Sequence, residues 1–313
     1  MKAIILNEPG DTSKLVITEL SVPEINEQEV LIRVKAISIN PVDVKTRQGK
    51  GVYGRLKETH PLVIGWDISG IVEKTGSAVV DFKAGDEVFG MVNFPGHGKA
   101  YAEYVAAPAS QLALKPLNIS FEEAAASTLA ALTAYQALVK KAQVKSFQKV
   151  LIHAASGGVG HFAAQLAKHL GTYIIATSSE KNRAFVLGLG VDEHIDYQGD
   201  ELDGKVGQVD FVLDTVGAEN IERSLPLIKR GGTLISIPTG ISEHARALAD
   251  QLGVEAYFFL VESNGEDMKA IAELLSRGIL KAHVSKVFPF EQMGEAHLAV
   301  ESGRTVGKVV VTI

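Results

Sequence analysis

Six consecutive residues, Ala155-Ser156-Gly157-Gly158-Val159-Gly160, hold three glycines and two other small side chains. The apolar run Lys149–Ala154 leads into them, and a stretch of helical spacing, from about Val159 to Leu170, leads out. The spacing is that of a G-x-G-x-x-G turn with alanine at the first glycine place. Gly157 lets the backbone come close to a pyrophosphate, and Gly160 lets the helix pack against the strand. The N–H groups at the helix start then face the phosphates. A glycine-rich turn alone is a weak signal, but here it sits between a strand and a helix, with a further strand at Thr172–Thr177. That context implies a dinucleotide site rather than an ordinary turn.

The end of that next strand sets the type of dinucleotide. An NAD site usually carries Asp or Glu there, on the ribose 2′-hydroxyl. This chain has Ser178, followed by Ser179, Lys181 and Arg183. A carboxylate repels a 2′-phosphate, whereas hydroxyls and cations hold it. The sequence therefore predicts NADPH, with Glu180 as the one group that opposes it. The alternative is that Lys181 and Arg183 only solvate a helix start.

A third stretch, "VIGWDISGIVEKTG", carries the only tryptophan, Trp66, with Asp67 directly after it. A carboxylate in an apolar run is either a buried hydrogen-bond acceptor or a general acid or base. The nine histidines do not cluster with metal-site spacing. His161 and His169, eight apart on one expected helix, read as solvent-facing. His153 closes a strand and reads as packing.

The elements that must position these groups fall into two patterns. Residues 1–118 hold short Val- and Ile-rich runs bounded by turn signals, as in a small β-barrel or sandwich. Residues 119–262 open with a capping box, Ser120 and Glu123, on a long Ala-rich helix. They continue as alternating strands and helices, with a helix expected at Lys181–Leu189. That alternation implies a parallel sheet covered on both faces. Residues 263–313 return to interleaved strands and helices.

Several motifs together resemble the medium-chain dehydrogenase/reductase superfamily, in its zinc-free quinone and enone oxidoreductase branch. They are "SINPVDVKTRQG", "IGWDISGIVEKTG", "GDEVFG", "YAEYVAAP", "LTAYQAL", "HAASGGVGHFAAQLAK" and the closing "GKVVVTI". The resemblance implies an α/β fold: a Rossmann doubly wound parallel sheet plus a GroES-like β-barrel catalytic domain built from both chain ends. It places Asn40, Trp66 and Leu129 where zinc-dependent relatives keep their catalytic ligands, and none of these three side chains suits zinc. The resemblance further implies that Asn40 and Asp43 line a substrate cleft, Asn40 near the nicotinamide, Asp43 alternatively ending a turn. Thr133 would pack on the nicotinamide or simply fill a helix interior. Tyr53 would stand at the substrate rim or be an exposed loop residue, and Tyr197 would lie near the adenosine or end a strand. "VEAYFFLV" would pair with a second copy across a two-fold axis, giving a homodimer, and Phe258 or Phe259 would reach the cofactor.

Alcohol oxidation needs a group that stabilises an alkoxide. Without a zinc ligand set, hydride addition to a quinone or an α,β-unsaturated carbonyl is the easier reaction. The alternatives are an enoyl-thioester reductase, for which only Lys45, Arg47, Lys50 and Arg55 offer a basic cluster, and an NADPH-binding structural or regulatory protein of zeta-crystallin type. A formal charge of −6 argues against nucleic-acid binding, and the absence of cysteine rules out disulfides and thiolate zinc sites. No apolar run is long enough to cross a membrane, and a cytoplasmic location is expected.

Overall fold

The computed structural model describes residues 1–199 and 202–313. They form two compact units, Met1–Leu132 with Val261–Ile313, and Thr133–Leu260. The first division falls later than residue 118. Helix Phe121–Ala126 packs on strands Glu29–Ile39, Asp67–Thr75 and Lys308–Thr312 of the first unit, with Ala125 and Ala126 clustered on Ala36 and Val310. Among the described residues no helix is long and apolar enough to cross a membrane.

The first unit is organised by one long strand, Glu29–Ile39. Its residues Ala36 to Ile39 pair antiparallel with Lys308–Thr312, its residues Glu29 to Arg33 with Tyr104–Pro108, and most of its length with Asp67–Thr75. The sheet continues through Glu87–Met91 to Leu112–Leu114 on one side and Val284–Pro289 on the other. Strands from near both chain ends thus share one sheet, as the resemblance implies. Trp66 is fully buried beside it. Its indole N–H donates to the Gly96 carbonyl at 2.7 Å, and its ring meets Phe94 edge-on at 5.2 Å. Gly98 must be glycine here, because a Cβ would stand 2.5 Å from the Trp66 ring and 2.3 Å from the Gly65 carbonyl. The loop 93–98 is therefore moulded on the tryptophan.

The second unit is a six-stranded parallel sheet. In spatial order its strands are Glu193–Asp196, Tyr173–Ser178, Lys149–Ile152, Val209–Asp214, Ile228–Ser236 and Glu255–Phe258. Numbered along the chain this is 3-2-1-4-5-6, the dinucleotide-binding order, whose switch point lies between the first and fourth strands. The central strands are continuous apolar runs, as burial on both faces demands. Leu151, Ile175, Val212 and Leu234 are all buried in one cluster.

The expected long helix after Ser120 is instead three pieces: Phe121–Ala126, Leu129–Tyr135 and a wider turn over Gln136–Lys141. The break has a local cause. Ser127 Oγ donates to the Glu123 carbonyl and Thr128 Oγ1 to the Ala125 carbonyl, both at 2.7 Å, so side chains replace the next backbone donors.

Candidate active site: a glycine turn and a buried polar cluster

In the second unit, strand Lys149–Ile152 ends at the switch point and the chain reverses through a strained residue. Ala154 has φ 48°, a left-handed conformation that costs a non-glycine residue roughly 1–2 kcal/mol. Thr177 holds it: its Oγ1 accepts from the Ala154 N–H at 3.2 Å and its carbonyl from the Ala155 N–H at 2.9 Å. Gly157 then caps helix Gly158–His169 without a side-chain hydrogen bond. The first-turn N–H groups have no partner within the helix. Gly160 is required for packing: a Cβ would fall 2.4 Å from the Ala154 carbonyl and 2.7 Å from Ala155 Cα. Ala155 is buried, while Ser156, Gly157, Gly158 and Val159 are half-buried. This small-residue cradle at a helix N-terminus suits a pyrophosphate in its donor chemistry.

The next strand delivers a different picture from the expected one. Ser178 is buried, and its Oγ is hydrogen-bonded to His194 Nε2 at 2.7 Å and to the Ser179 carbonyl at 3.1 Å. Ser179 is half-buried, and Lys181 and Arg183 are exposed. Lys181 lies in a short turn, Glu180–Asn182, that precedes helix Arg183–Gly188, so the helix begins two residues after the expected start. Tyr197 directly follows strand Glu193–Asp196 and is 56% exposed.

His153 and His161 are both buried, and His161 corrects the expectation of a solvent-facing residue. The His161 ring packs on Phe162 at 4.0 Å, and its Nδ1 meets the Gly157 carbonyl at 2.9 Å. A side chain one helical turn beyond the glycine turn thus backs that turn from inside. His169 is exposed, as expected. His153 lies between Thr177 Oγ1 at 3.2 Å and Ser224 Oγ at 2.9 Å, and burial pushes its pKa down to about 4.

In the first unit the singled-out polar residues form one buried cluster. Asp67 is fully buried. One of its oxygens accepts from Asn40 Nδ2 at 2.8 Å; the other accepts from the Leu129 N–H at 3.0 Å, capping helix Leu129–Tyr135 from a strand 62 positions away in sequence. Lys308 Nζ donates to Asn40 Oδ1 and to the Ile39 carbonyl at 3.1 Å. Asp43 accepts from the Asn40 N–H at 2.6 Å and closes a capping box on helix Pro41–Arg47. Burial raises the pKa of both carboxyls, with Asp67 adding to the effect on Asp43, which stands at about 7. Burial lowers Lys308 against the pull of both carboxyls.

The cluster extends beyond the candidate site residues. The Tyr101 hydroxyl meets His297 Nε2 at 2.8 Å. Burial and the Asp43 carboxyl raise the Tyr101 pKa well above that of a free phenol; burial and then Arg47 lower His297 to about 3. Arg47, expected among surface cations, is buried and paired with Glu301 at 2.7 Å. That leaves Lys45, Lys50 and Arg55 of the basic set, which weakens the enoyl-thioester alternative.

The arrangement has a chemical consequence. Both ends of the Asn40 amide are engaged, and Asn40 and Asp43 are essentially unexposed. Asn40 joins Asp67 to Lys308, and Asp43 holds the Asn40 backbone N–H. Asp67 is the hydrogen-bonded structural carboxylate of its two sequence readings. Thr133 is buried in helix Leu129–Tyr135, and Tyr53 is half-buried at the start of the short helix Tyr53–Leu56. Phe259 is buried, with Lys141 Nζ 5.8 Å from its ring centre, and Phe258 is 43% exposed. Among the described residues no group of three or more His, Asp or Glu side chains is arranged to hold a metal ion.

Two family models match the chain: the alcohol dehydrogenase GroES-like domain over residues 26–117 and zinc-binding dehydrogenase over residues 189–311. A chloroplastic NADPH-dependent alkenal/one oxidoreductase of Arabidopsis thaliana is 34% identical over 99% of this chain and 79% of its own length. The solved quinone oxidoreductase of Coxiella burnetii is 37% identical, with a TM-score of 0.94 over 100% of this chain and 99% of that one. The Escherichia coli quinone oxidoreductase, solved in complex with NADPH, is 29% identical, with a TM-score of 0.89 and complete coverage of both chains.

Proposed function

The chain belongs to the medium-chain dehydrogenase/reductase superfamily, and on that basis we propose that it is an NADPH-dependent reductase of quinones or α,β-unsaturated carbonyls that works without zinc. The observation that carries this reading is the glycine turn at the switch point of the parallel sheet, joined to full-length similarity to proteins named for this chemistry. One matched model is described as zinc-binding. At the positions the resemblance assigns to the catalytic ligands, however, the chain has Asn40 tied to Asp67 and Lys308, Trp66 bonded to Gly96, and Leu129.

NADPH supplies a hydride equivalent. Ala155 to Gly160 and the first-turn amides would hold its pyrophosphate; Ser179, Lys181 and Arg183 would hold the 2′-phosphate, with Ser178 acting behind them; Tyr197 would serve the adenosine end. Thr133 limits the position of the nicotinamide. Asn40 and Asp43 act through the backbone they fix. Tyr53, half-buried and carrying a phenol, would donate a hydrogen bond to the substrate oxygen on which charge develops. Solvent supplies the proton that completes the reduction.

A cytoplasmic location is proposed as the default for a cysteine-free chain; the plant relative is chloroplastic. It is expected to be a homodimer. Strand Glu255–Phe258 ends the order of its sheet beside Ile228–Ser236, and a half-exposed edge of this kind calls for a partner.

The test is oxidation of NADPH, with NADH in parallel, against 1,4-benzoquinone, 9,10-phenanthrenequinone, an aliphatic enone and an enoyl thioester. Faster turnover with NADPH on a quinone or the enone is expected. Tight NADPH binding with no turnover on any acceptor would transfer support to the structural or regulatory reading, and preference for the thioester to the other alternative.

A further inference from the structure

Selectivity for a 2′-phosphate depends on the end of strand Tyr173–Ser178, and any role for a residue there rests on the NADPH reading proposed for this chain. Ser178, at the place where an NAD site keeps its acid, is only 2% exposed and is bonded to His194 and to the Ser179 carbonyl. Its hydroxyl is directed into the protein. Discrimination is therefore left to the next turn, which presents Lys181 and Arg183 with Glu180 beside them.

Glu180 is held on that surface by two neighbours. Its Oε2 lies 3.5 Å from Arg183 Nη1 and 4.0 Å from His194 Nδ1. The turn itself is tethered to the phosphate-facing turn, because Asn182 Nδ2 donates to Ser156 Oγ at 3.1 Å. The carboxylate and the guanidinium thus occupy the same corner of the site.

We propose that Glu180 is a selectivity-determining residue that limits the preference for a 2′-phosphorylated dinucleotide, by competing with the phosphate for Arg183 and by repelling its charge. A carboxylate and a phosphate dianion seek the same planar donor fork, and only one can take it bidentately. Both Glu180 and Arg183 are half open to solvent or more, and screening keeps the effect moderate. An unphosphorylated ribose carries no charge for Glu180 to oppose, so the effect falls on one cofactor and not on the other.

The experiment titrates adenosine 2′,5′-bisphosphate and 5′-AMP into the purified full-length protein by calorimetry, in the wild type, Glu180→Gln, Arg183→Ala and the double variant. The ratio of kcat/KM for NADPH over NADH is measured beside it. Glu180→Gln is expected to tighten the bisphosphate about threefold to tenfold and to change 5′-AMP by less than about twofold. Arg183→Ala is expected to weaken the bisphosphate alone and to shrink the gain from Glu180→Gln in the double variant. The kinetic ratio should rise in step with the bisphosphate affinity. Unchanged bisphosphate affinity in Glu180→Gln, or equal tightening of both probes, would overturn the proposal. If the wild type also binds the two probes equally, the NADPH reading falls with it; if the wild type prefers the bisphosphate, only the role of Glu180 does.

Discussion

The glycine turn and the Asp67 cluster are both rich in polar atoms, yet they use them in opposite ways. In the turn the polar atoms are backbone amides, reached because side chains have been removed from Gly157, Gly158 and Gly160. In the cluster they are side chains from residues 40, 43, 67 and 308, all buried. The amides of Asn40 and the oxygens of Asp67 are bonded within the protein. The first arrangement leaves hydrogen-bonding capacity for a ligand. The second spends most of it in joining strand Asp67–Thr75, helix Pro41–Arg47, helix Leu129–Tyr135 and the last strand, and keeps its remaining atoms, Asp43 Oδ1 among them, buried. Titratable groups crowded in one place are therefore not by themselves a catalytic site; what matters is how much of their capacity the fold uses and how much is open to a ligand.

The strongest way to break this contrast is Lys308→Met. It removes the cation bonded to Asn40 and leaves two buried carboxyls without it, a change that typically costs about 3–5 kcal/mol. Urea unfolding is expected to show a loss of that order, with dinucleotide affinity of the folded protein kept within about threefold. A loss below about 1 kcal/mol would mean that the cluster is not what fixes these elements.

Gly160→Ala probes the other side. Its Cβ has no room against the Ala154 carbonyl, and the helix must shift to admit it. Overpacking of this kind costs about 1–3 kcal/mol, and the displaced first turn is expected to weaken NADPH at least about tenfold, measured by fluorescence titration. Here binding suffers along with stability, whereas Lys308→Met costs stability and spares binding.

A smaller effect separates the two regions by pH. Asp43 has its pKa raised from 3.8 to about 7 on folding, so its stabilising contribution is complete below 3.8 and is lost as pH rises through about 7. His153 has its pKa lowered from 6.5 to about 4, so its contribution is complete above 6.5 and is lost as pH falls through about 4. Between those limits Asp43→Asn should make the stability of the protein rise more steeply with pH, and His153→Gln should flatten it. Urea midpoints at several pH values between about 4 and 7 read both slopes. Equal slopes in the two variants would contradict the assignments.

The legibility of the two regions in the sequence follows from the same contrast. The strand, turn and helix around Gly157 are contiguous, so spacing alone displays the site. The alternation of apolar runs likewise exposes the parallel sheet. Asp67 could be marked as a carboxylate in an apolar run, but its partners Asn40, Leu129 and Lys308 are assembled by sheet register, not by spacing. Lys308 hid in the closing "GKVVVTI" as an ordinary strand-start lysine, and its place at the head of an otherwise apolar strand was the only available clue. Tyr101 opens the motif "YAEYVAAP" with nothing local to mark its partner, and His297 carries no local signal. Arg47 looked like a surface cation because its partner Glu301 is 254 positions away. His161 was misplaced because a histidine on an amphipathic helix reads as polar until the backbone carbonyl it serves, Gly157, is seen. The single long helix failed at Ser127 and Thr128, whose back-bonding is invisible to propensity sums.

The most direct test of a zinc-independent reductase follows the hydride itself. The protein is dialysed against a chelator, its metal content is assayed, and it is then given C4-deuterated NADPH and an aliphatic enone. Full turnover after metal removal, with deuterium at the β-carbon of the saturated ketone, is the expected result. Activity that disappears on chelation and returns only with zinc would contradict it.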